Sequence, residues 1–197
     1  MASSGSVIEN ELLLWCHRLW ERRLVFGTSG NVSVLLDNGD LLVTPSQKSL
    51  GFLEASDLVL VGRDGTPRNP AQRATSELLL HLAAYRTRTD IRSVIHTHPT
   101  MSVVYSKTQK LFPRDTVGAS ESLGTCAWTP YRKNGTSELA ELCAIEFARG
   151  IDLVVMERHG LTAIAANLEI AFMQSDLAEE AARIAYFSSI WDKGTIT

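Results

Sequence analysis

Residues 93–99 read Ser-Val-Ile-His-Thr-His-Pro, an apolar, β-branched run that ends in two histidines, His96 and His98. Such a run favours a β-strand, and a strand directs residues i and i+2 to the same face. Pro99 cannot continue a central strand but suits the first turn of a helix. The stretch therefore predicts an α/β fold in which both imidazoles point to one side at a strand's carboxyl end, where open α/β sheets place ligands.

The histidine pair by itself leaves the chemistry open. Metal hydrolases, cupins and lyases all use this spacing to bind an ion. The alternative is one surface histidine and one core histidine with no shared ligand. Further candidate ligands are needed to choose between these interpretations.

Composition narrows the class of protein. The chain has 197 residues, of which 45% are hydrophobic and 21% charged, as in ordinary globular domains. A formal net charge of −3 indicates no nucleic-acid partner, and the absence of a long apolar run indicates no membrane span. Residues 1–6 lack the pattern of a signal peptide, and three cysteines without a CxxC pair are typical of a reduced compartment. We expect one cytoplasmic domain over residues 1–197.

Periodicity and capping signals predict alternating helices and strands. The predicted helices cover residues 7–26, 75–86, 137–149 and 167–191, with one more from Pro99. The predicted strands cover residues 31–36, 41–44, 58–62, 93–98, 151–156 and 161–165. Gly27 is the expected end of the first helix, and Thr75 or Ser76 and Asn167 are the expected caps of two others. This order indicates a layered α/β fold with a mixed or mostly antiparallel sheet.

Two residues are candidates to join the histidine pair. His159 follows a predicted buried strand and precedes a glycine, so it can approach an ion, although this pattern taken alone favours a surface-turn histidine. Glu77 lies in the first turn of the helix predicted from residue 75, where a carboxylate also complements the helix dipole. Three imidazoles and one carboxylate suit Zn²⁺ with room for a substrate.

His81 leaves that ligand set open. It lies four residues after Glu77, on the same helix face, so spacing allows both to be ligands. Its neighbours Leu80 and Leu82 favour a hydrogen-bonded core role instead. His17, on the first predicted helix, is interpreted as structural.

Three segments of small residues have the composition of an anion site. They are Gly27–Ser33, Thr44–Ser49 and the Thr75-Ser76 pair at a predicted helix start. Such residues also form ordinary turns and caps, and none of the segments matches a P-loop or dinucleotide fingerprint.

The order of the motifs resembles the class II aldolase/adducin family. The motifs are Gly27-Thr-Ser-Gly-Asn-Val-Ser33, Val43-Thr-Pro-Ser46, Ser76-Glu77 with His81, His96-Thr-His-Pro99 and His159-Gly160-Leu161. The match spans residues 12–190, almost the whole chain. The resemblance implies a three-layer α/β/α fold around a central mixed, mostly antiparallel sheet, and a homotetramer.

The resemblance also implies a set of site residues. It implies Zn²⁺, or another divalent metal, held by His96, His98 and His159. Glu77 would be the catalytic carboxylate and a metal ligand without substrate, and His81 matches a helix residue that is not a ligand. A substrate phosphate would be held by Gly30, Asn31, Ser46, Gln47, Thr75 and Ser76.

The implied activity is that of a zinc-dependent aldolase, an aldehyde-lyase that cleaves or forms a C–C bond in a small sugar phosphate through an enediolate. The family also contains epimerases, dehydratases and decarboxylases of sugar or sugar-acid phosphates. The epimerase has aspartate where Glu77 stands, which favours aldolase-type cleavage. A metal-dependent hydrolase and a non-catalytic adducin-like module are the remaining alternatives, and the complete ligand set argues against the module.

Two departures from the family pattern stand out. Gln47 occupies a position that is glycine in the family's aldolase, so backbone capture of phosphate there is in question. The aldolase also contributes a tyrosine from a neighbouring subunit, whereas residues 112–118 contain none. Tyr105 and Tyr131 flank that region, and neither matches securely.

Overall fold

The computed structural model describes residues 4–191. The residues outside this range include part of the N-terminal segment assessed above for a signal peptide. The strands are β1 (Asn31–Leu35), β2 (Leu41–Val43), β3 (Val59–Val61), β4 (Ser93–Thr97), β5 (Cys126–Thr129), β6 (Leu153–Met156) and β7 (Gly160–Ala165). The helices are α1 (Ser4–Glu21), α2 (Leu78–Thr87), α3 (Thr100–Ser106), α4 (Val117–Ser122), α5 (Ser137–Ala148) and α6 (Leu168–Trp191).

One seven-stranded sheet organises these elements in the order β3-β2-β1-β4-β7-β6-β5. Every neighbouring pair is antiparallel except β5 and β6, which run parallel. The histidine-bearing strand β4 lies at the centre, between β1 and β7. The predicted mixed, mostly antiparallel sheet is thus confirmed.

Side chains alternate across the sheet and build a separate core on each face. In β4, Ile95 packs into the layer with α1 and α6, whereas Val94 packs into the layer with α2 and α5. In β6, Val155 and Val154 divide in the same way. Because successive side chains of a strand point to opposite faces and both faces of the sheet are covered by helices, the arrangement has three layers, α/β/α.

The first helix ends earlier than predicted. It stops at Glu21, because Arg23 adopts a left-handed backbone with φ of 58°. The Arg23 N–H then donates to the Trp20 carbonyl at 3.0 Å and the Leu24 N–H donates to the Leu19 carbonyl at 2.9 Å, which is a Schellman C-cap. Leu24 is buried because the chain turns back into the core, so extending the helix to residue 26 was wrong.

The predicted caps have different outcomes. Asn167 caps α6 as predicted, since its Oδ1 accepts from the Ile170 N–H at 2.9 Å. Helix α2 starts at Leu78, with Glu77 itself in the N-cap position and no side-chain cap hydrogen bond. Thr75 Oγ1 accepts from the Glu77 N–H at 3.3 Å, so the predicted capping hydrogen bond forms in the turn that leads into the helix, two residues before the N-cap position.

Sequence patterns did not predict α4 and β5. Helix α4 has only six residues, too few for a period of 3.6 to be visible. Strand β5 is a half-buried edge strand of four residues, identified by its pairing with β6. Among the described residues, no helix combines the length and apolarity needed to cross a membrane.

Replacing Gly160 by alanine is expected to destabilise the fold. A Cβ at Gly160 would lie 2.1 Å from the carbonyl oxygen of Thr97, in the pairing of β7 with β4. Overpacking of this kind costs about 1–3 kcal/mol of unfolding free energy. Chemical denaturation measures the loss.

The matched control is Gly118→Ala, where the new Cβ meets only Leu177 Cδ2 at 3.6 Å. That variant should be as stable as the native protein or slightly more so, because alanine is favoured over glycine in a helix by about 1 kcal/mol. Equal stability of the two alanine variants would contradict the close strand approach.

Candidate metal centre

Four side chains from three parts of the chain meet at one end of the sheet. His96 is the penultimate residue of β4 and His98 follows the strand, His159 lies in the turn before β7, and Glu77 stands at the start of α2. Their ligand atoms all lie within 4.8 Å of one another. The structure therefore brings together the four ligands named from the sequence.

The nitrogen and oxygen atoms of this cluster face a common point. His96 Nε2 lies 2.8 Å from His98 Nε2 and 3.0 Å from Glu77 Oε2. His159 Nε2 lies 3.3 Å from Glu77 Oε1. Three imidazole Nε2 atoms and one carboxylate thus converge, which is the donor set of a zinc site with protein ligands from histidine and glutamate.

A neighbouring strand determines the tautomer of His96. Its Nδ1 lies 3.0 Å from the carbonyl oxygen of Leu161 and 3.1 Å from Thr162 Oγ1. Because a carbonyl only accepts, Nδ1 carries the proton and donates it. The lone pair of Nε2 is therefore directed at the cluster, as in metal-binding histidines oriented by a backbone carbonyl.

Burial and charge favour the ligand forms of these groups. Burial, reinforced by the neighbouring His96 and His159, lowers the pKa of His98 to about 3, so its imidazole is neutral near pH 7. Burial alone would raise the pKa of Glu77, but His96 and His159 together outweigh it and hold that pKa below its ordinary value. A neutral His98 beside an ionised Glu77 is the pair of protonation states in which these two groups bind a divalent cation.

One further observation fits a cation at this point. The buried Oε1 of Glu77, which faces the cluster, has no hydrogen-bond partner among the described residues. Two Nε2 atoms as close as those of His96 and His98 also need a proton or a cation between them. The residues present therefore fit a bound divalent metal.

A cleft of about 220 Å³ adjoins the cluster. Glu77 and His98 form one side of it. All six residues predicted to hold phosphate line it, namely Gly30, Asn31, Ser46, Gln47, Thr75 and Ser76. Asn134 also lines the cleft and belongs to none of the five sequence motifs, so sequence reasoning missed it. A phosphate contact at these residues stays a prediction.

The glutamine at position 47 keeps the backbone that a glycine would adopt. Gln47 has a φ of 61°, in the left-handed region that favours glycine. Its side chain is exposed at the rim of the cleft. The loop therefore adopts the conformation that glycine favours even with glutamine at this position. The glutamine side chain adds an amide beside the predicted phosphate position.

The remaining histidines are structural. His81 is fully buried, and both of its ring nitrogens are hydrogen bonded, to Ser33 Oγ and Asn31 Oδ1. Spacing left its role open, and the structure places it outside the cluster. His17 Nε2 pairs with the carbonyl of Leu53 at 3.2 Å, as a structural interpretation predicts.

The tyrosines do not reveal a second proton carrier. The Tyr105 hydroxyl donates to the carbonyl of Leu111 at 3.2 Å. The ring of Tyr131 lies under the Arg158 guanidinium, 4.4 Å from it. Neither is among the described residues that line the cleft.

A larger cavity lies elsewhere in the described part of the chain. It measures about 570 Å³ and lies between the end of β1, the start of β4 and the start of α6. Asp37, Arg92 and Asn167 are among its lining residues. Because the four metal-ligand candidates and the predicted phosphate residues all lie at the other end of the strands, the chemistry is assigned to the smaller cleft.

The sheet topology and the His₃Glu cluster define an α/β protein whose site can hold a metal ion. Residues 10–186 match the family model described as Class II Aldolase and Adducin N-terminal domain, and the chain belongs to that family. The family resemblance inferred from the motifs is thereby confirmed.

Characterised relatives have more than one activity. The L-fuculose phosphate aldolase of Methanococcus vannielii is 31% identical, with 93% of this chain and 98% of that protein covered. The 3,4-dihydroxyphthalate decarboxylase of Arthrobacter keyseri is 33% identical, with 83% and 71% covered. A solved L-fuculose 1-phosphate aldolase superposes with a TM-score of 0.85 at 29% identity, with 97% and 89% covered. The chain thus belongs to an enzyme superfamily of aldolases and decarboxylases.

The first site prediction concerns metal content. Protein purified without added metal should contain about one divalent ion per chain by elemental analysis, as expected for a single four-ligand site. The double variant His96→Ala/His98→Ala should lose the ion, because two of three imidazole ligands are gone. His17→Gln is the control and should retain it. Full retention in the double variant would refute the metal assignment.

Proposed function

We propose that this protein is a zinc-dependent aldehyde-lyase that cleaves or forms a C–C bond in a small sugar phosphate. The observation that carries the proposal is the position of Glu77. Its carboxylate contacts His96 and His159 and also lines the cleft where the phosphate is expected. A base, a metal site and an anion site within one cleft are the parts that such a reaction needs.

The chain's own residues have separate tasks in this proposal. Zinc, when bound by the three histidines, supplies a Lewis acid that stabilises negative charge on substrate oxygens. Glu77 takes or returns the proton at the carbon next to the carbonyl, through its unpartnered Oε1. The hydroxyls of Ser46 and Ser76 hold the phosphate, so that the reacting carbon lies beside Glu77.

A Schiff base is the other route to the same carbanion, and the chain does not favour it. The sequence has five lysines, of which Lys48, Lys107, Lys110 and Lys133 fall in the described region. Among the described residues none of them lines the cleft. The metal-assisted route is therefore the one supported by the residues present.

Decarboxylation is the second candidate activity. It is favoured by the 33% identity to the Arthrobacter keyseri decarboxylase. Loss of CO₂ from a substrate leaves the same kind of carbanion as loss of an aldehyde, and Glu77 would then only return a proton. The two activities differ in their substrate. Aldol cleavage acts on a sugar phosphate, whereas decarboxylation acts on an aromatic or sugar-derived acid.

The function is tested with the zinc-loaded protein and a set of ketose 1-phosphates. We expect release of an aldehyde and dihydroxyacetone phosphate without release of inorganic phosphate. Glu77→Gln should lower turnover by about a hundred- to ten-thousand-fold, because general acid–base catalysis supplies a factor of this size. Exchange of the substrate C–H with solvent deuterium should fall in parallel.

The control variant is Glu121→Gln, an exposed position in α4, which should keep native turnover. Native exchange in Glu77→Gln would show that Glu77 is not the base. Release of CO₂ from a carboxylated substrate, with no aldehyde from any ketose phosphate, would replace the aldolase by the decarboxylase. Release of inorganic phosphate would indicate a hydrolase.

We also propose a homotetramer. The family resemblance implies it, and exposed apolar side chains on the two terminal helices support it, among them Leu14, Ile170, Met173, Phe187 and Trp191. Exposed apolar patches mark association surfaces. A location in the cytoplasm stays a prediction from the cysteine content.

Light scattering tests the assembly. The expected mass is that of four chains of 21.7 kDa each. A substitution of Phe187 by aspartate should shift the mass towards smaller species, because a buried unpaired charge in an interface costs several kcal/mol, of the order of 3–5. An active species with the mass of one chain would contradict the proposed tetramer.

A further inference from the structure

A buried chain of hydrogen bonds from α2 and β1 leads to the carboxylate of Glu77. Tyr85 Oη lies 2.9 Å from both the carbonyl oxygen and Oγ of Ser33. Ser33 Oγ lies 2.6 Å from His81 Nδ1, and His81 Nε2 lies 2.6 Å from Asn31 Oδ1. Asn31 Nδ2 then donates to Glu77 Oε2 at 3.1 Å.

The chain follows from the periods of the two elements that carry it. Glu77, His81 and Tyr85 are spaced by four residues along one face of α2. Asn31 and Ser33 are spaced by two along one face of β1. The two faces pack together and form a polar seam in the core.

The hydrogen bonds that run from Ser33 through His81 and Asn31 to Glu77 each have one direction. A carboxylate only accepts, so the Asn31 amide nitrogen faces Glu77 and the amide oxygen faces His81. That oxygen needs a donor, which makes Nε2 the protonated nitrogen of His81. A neutral imidazole has one N–H, so Nδ1 accepts from the Ser33 hydroxyl.

Burial supports this neutral tautomer. Ser33 and His81 are 0% exposed, and Asn31 is 5% exposed. Burial, with a smaller contribution from His96, lowers the pKa of His81 to about 3. His81 is therefore a donor at one nitrogen and an acceptor at the other.

We propose that His81 is a positioning residue that holds the Asn31 amide in the one orientation in which it donates to Glu77 Oε2. A rotated amide would place an oxygen against Oε2 and an N–H against the N–H of His81, so both hydrogen bonds would be lost. With Oε2 held, Oε1 is the oxygen of Glu77 that is left to take a proton. This role rests on the proposed function, because Glu77 is its base.

The test compares two substitutions of His81 in the zinc-loaded protein. His81→Leu removes the donor to Asn31 and should lower both zinc affinity and kcat by about tenfold or more, the usual cost of losing an outer partner of a metal ligand. KM should change far less than kcat, since the variant leaves the cleft hydroxyls in place. His81→Gln places an amide N–H near the position of Nε2 and should restore most of both losses.

Ser93→Ala is the matched control. Ser93 is 1% exposed and loses a comparable hydroxyl bond, to the carbonyl of Ala165 at 3.1 Å, at the far end of β4. It should leave zinc affinity and kcat unchanged. If His81→Leu does not fold, Ser33→Ala is used in its place, because it removes the hydroxyl that donates to His81 Nδ1, together with the contact of that hydroxyl with Tyr85. A loss of zinc affinity and kcat is again expected.

A spectroscopic readout is independent of activity. Nitrogen-15 NMR of the histidine rings in the zinc-loaded protein should show His81 protonated at Nε2 and unprotonated at Nδ1. A protonated Nδ1, or a doubly protonated ring at neutral pH, would overturn the proposal.

The outcomes separate this inference from the proposed function. Native zinc affinity and native kcat in His81→Leu, with cleavage intact, would reject the positioning role alone. A zinc-loaded protein that cleaves no substrate would reject the proposed function. In that case a loss of zinc affinity in His81→Leu that is reversed in His81→Gln would still support the proposal that His81, through Asn31, positions the Glu77 carboxylate.

Discussion

The antiparallel pairing of β4 with β7 is the constraint on which the site depends. It sets His96 opposite Thr162 and Thr97 opposite Leu161. The Leu161 carbonyl then accepts a hydrogen bond from His96 Nδ1. The pairing of β4 with β7 therefore also fixes the orientation of the His96 ring, a candidate metal ligand. The turn before β7 places His159 beside His96 at the same end of the sheet. Gly160 has no side chain, which allows its backbone to lie close to the carbonyl of Thr97.

Two buried carboxylates organise the elements around this pairing. Glu77 sits at the start of α2, against the histidines. Glu179, on α6, accepts hydrogen bonds from the Met101 N–H at 3.0 Å and from the Ser102 N–H at 2.8 Å, at the start of α3. Helix α3 begins just after His98, so α6 anchors the segment that carries this ligand. Buried carboxylates are costly unless fully hydrogen bonded, and Glu179 meets that condition through backbone donors.

The short-range part of this architecture could be predicted, and the reasons are specific. The period of two in β4 predicts that His96 and His98 share a face, and Asn167 is recognisable as a cap from its position before an apolar helix. The end of α1 could not be predicted, because arginine takes the left-handed position where glycine is expected. Edge strand β5 was missed since its half-buried residues have no clear pattern without β6 beside them.

The sequence by itself determined which residues could bind a metal and hold an anion, because motif order and local spacing are properties of the chain. It also determined the alternation that separates the two cores. Spacing on α2 presents Glu77 and His81 equally, and although the family resemblance selected Glu77, only the tertiary structure shows the partners that give the two residues different roles. Strand β1 places Ser33 and Asn31 against both nitrogens of His81, whereas β4 and β7 place histidines against Glu77. A side chain's role depends on the partners that distant strands bring to it, and no local pattern specifies them.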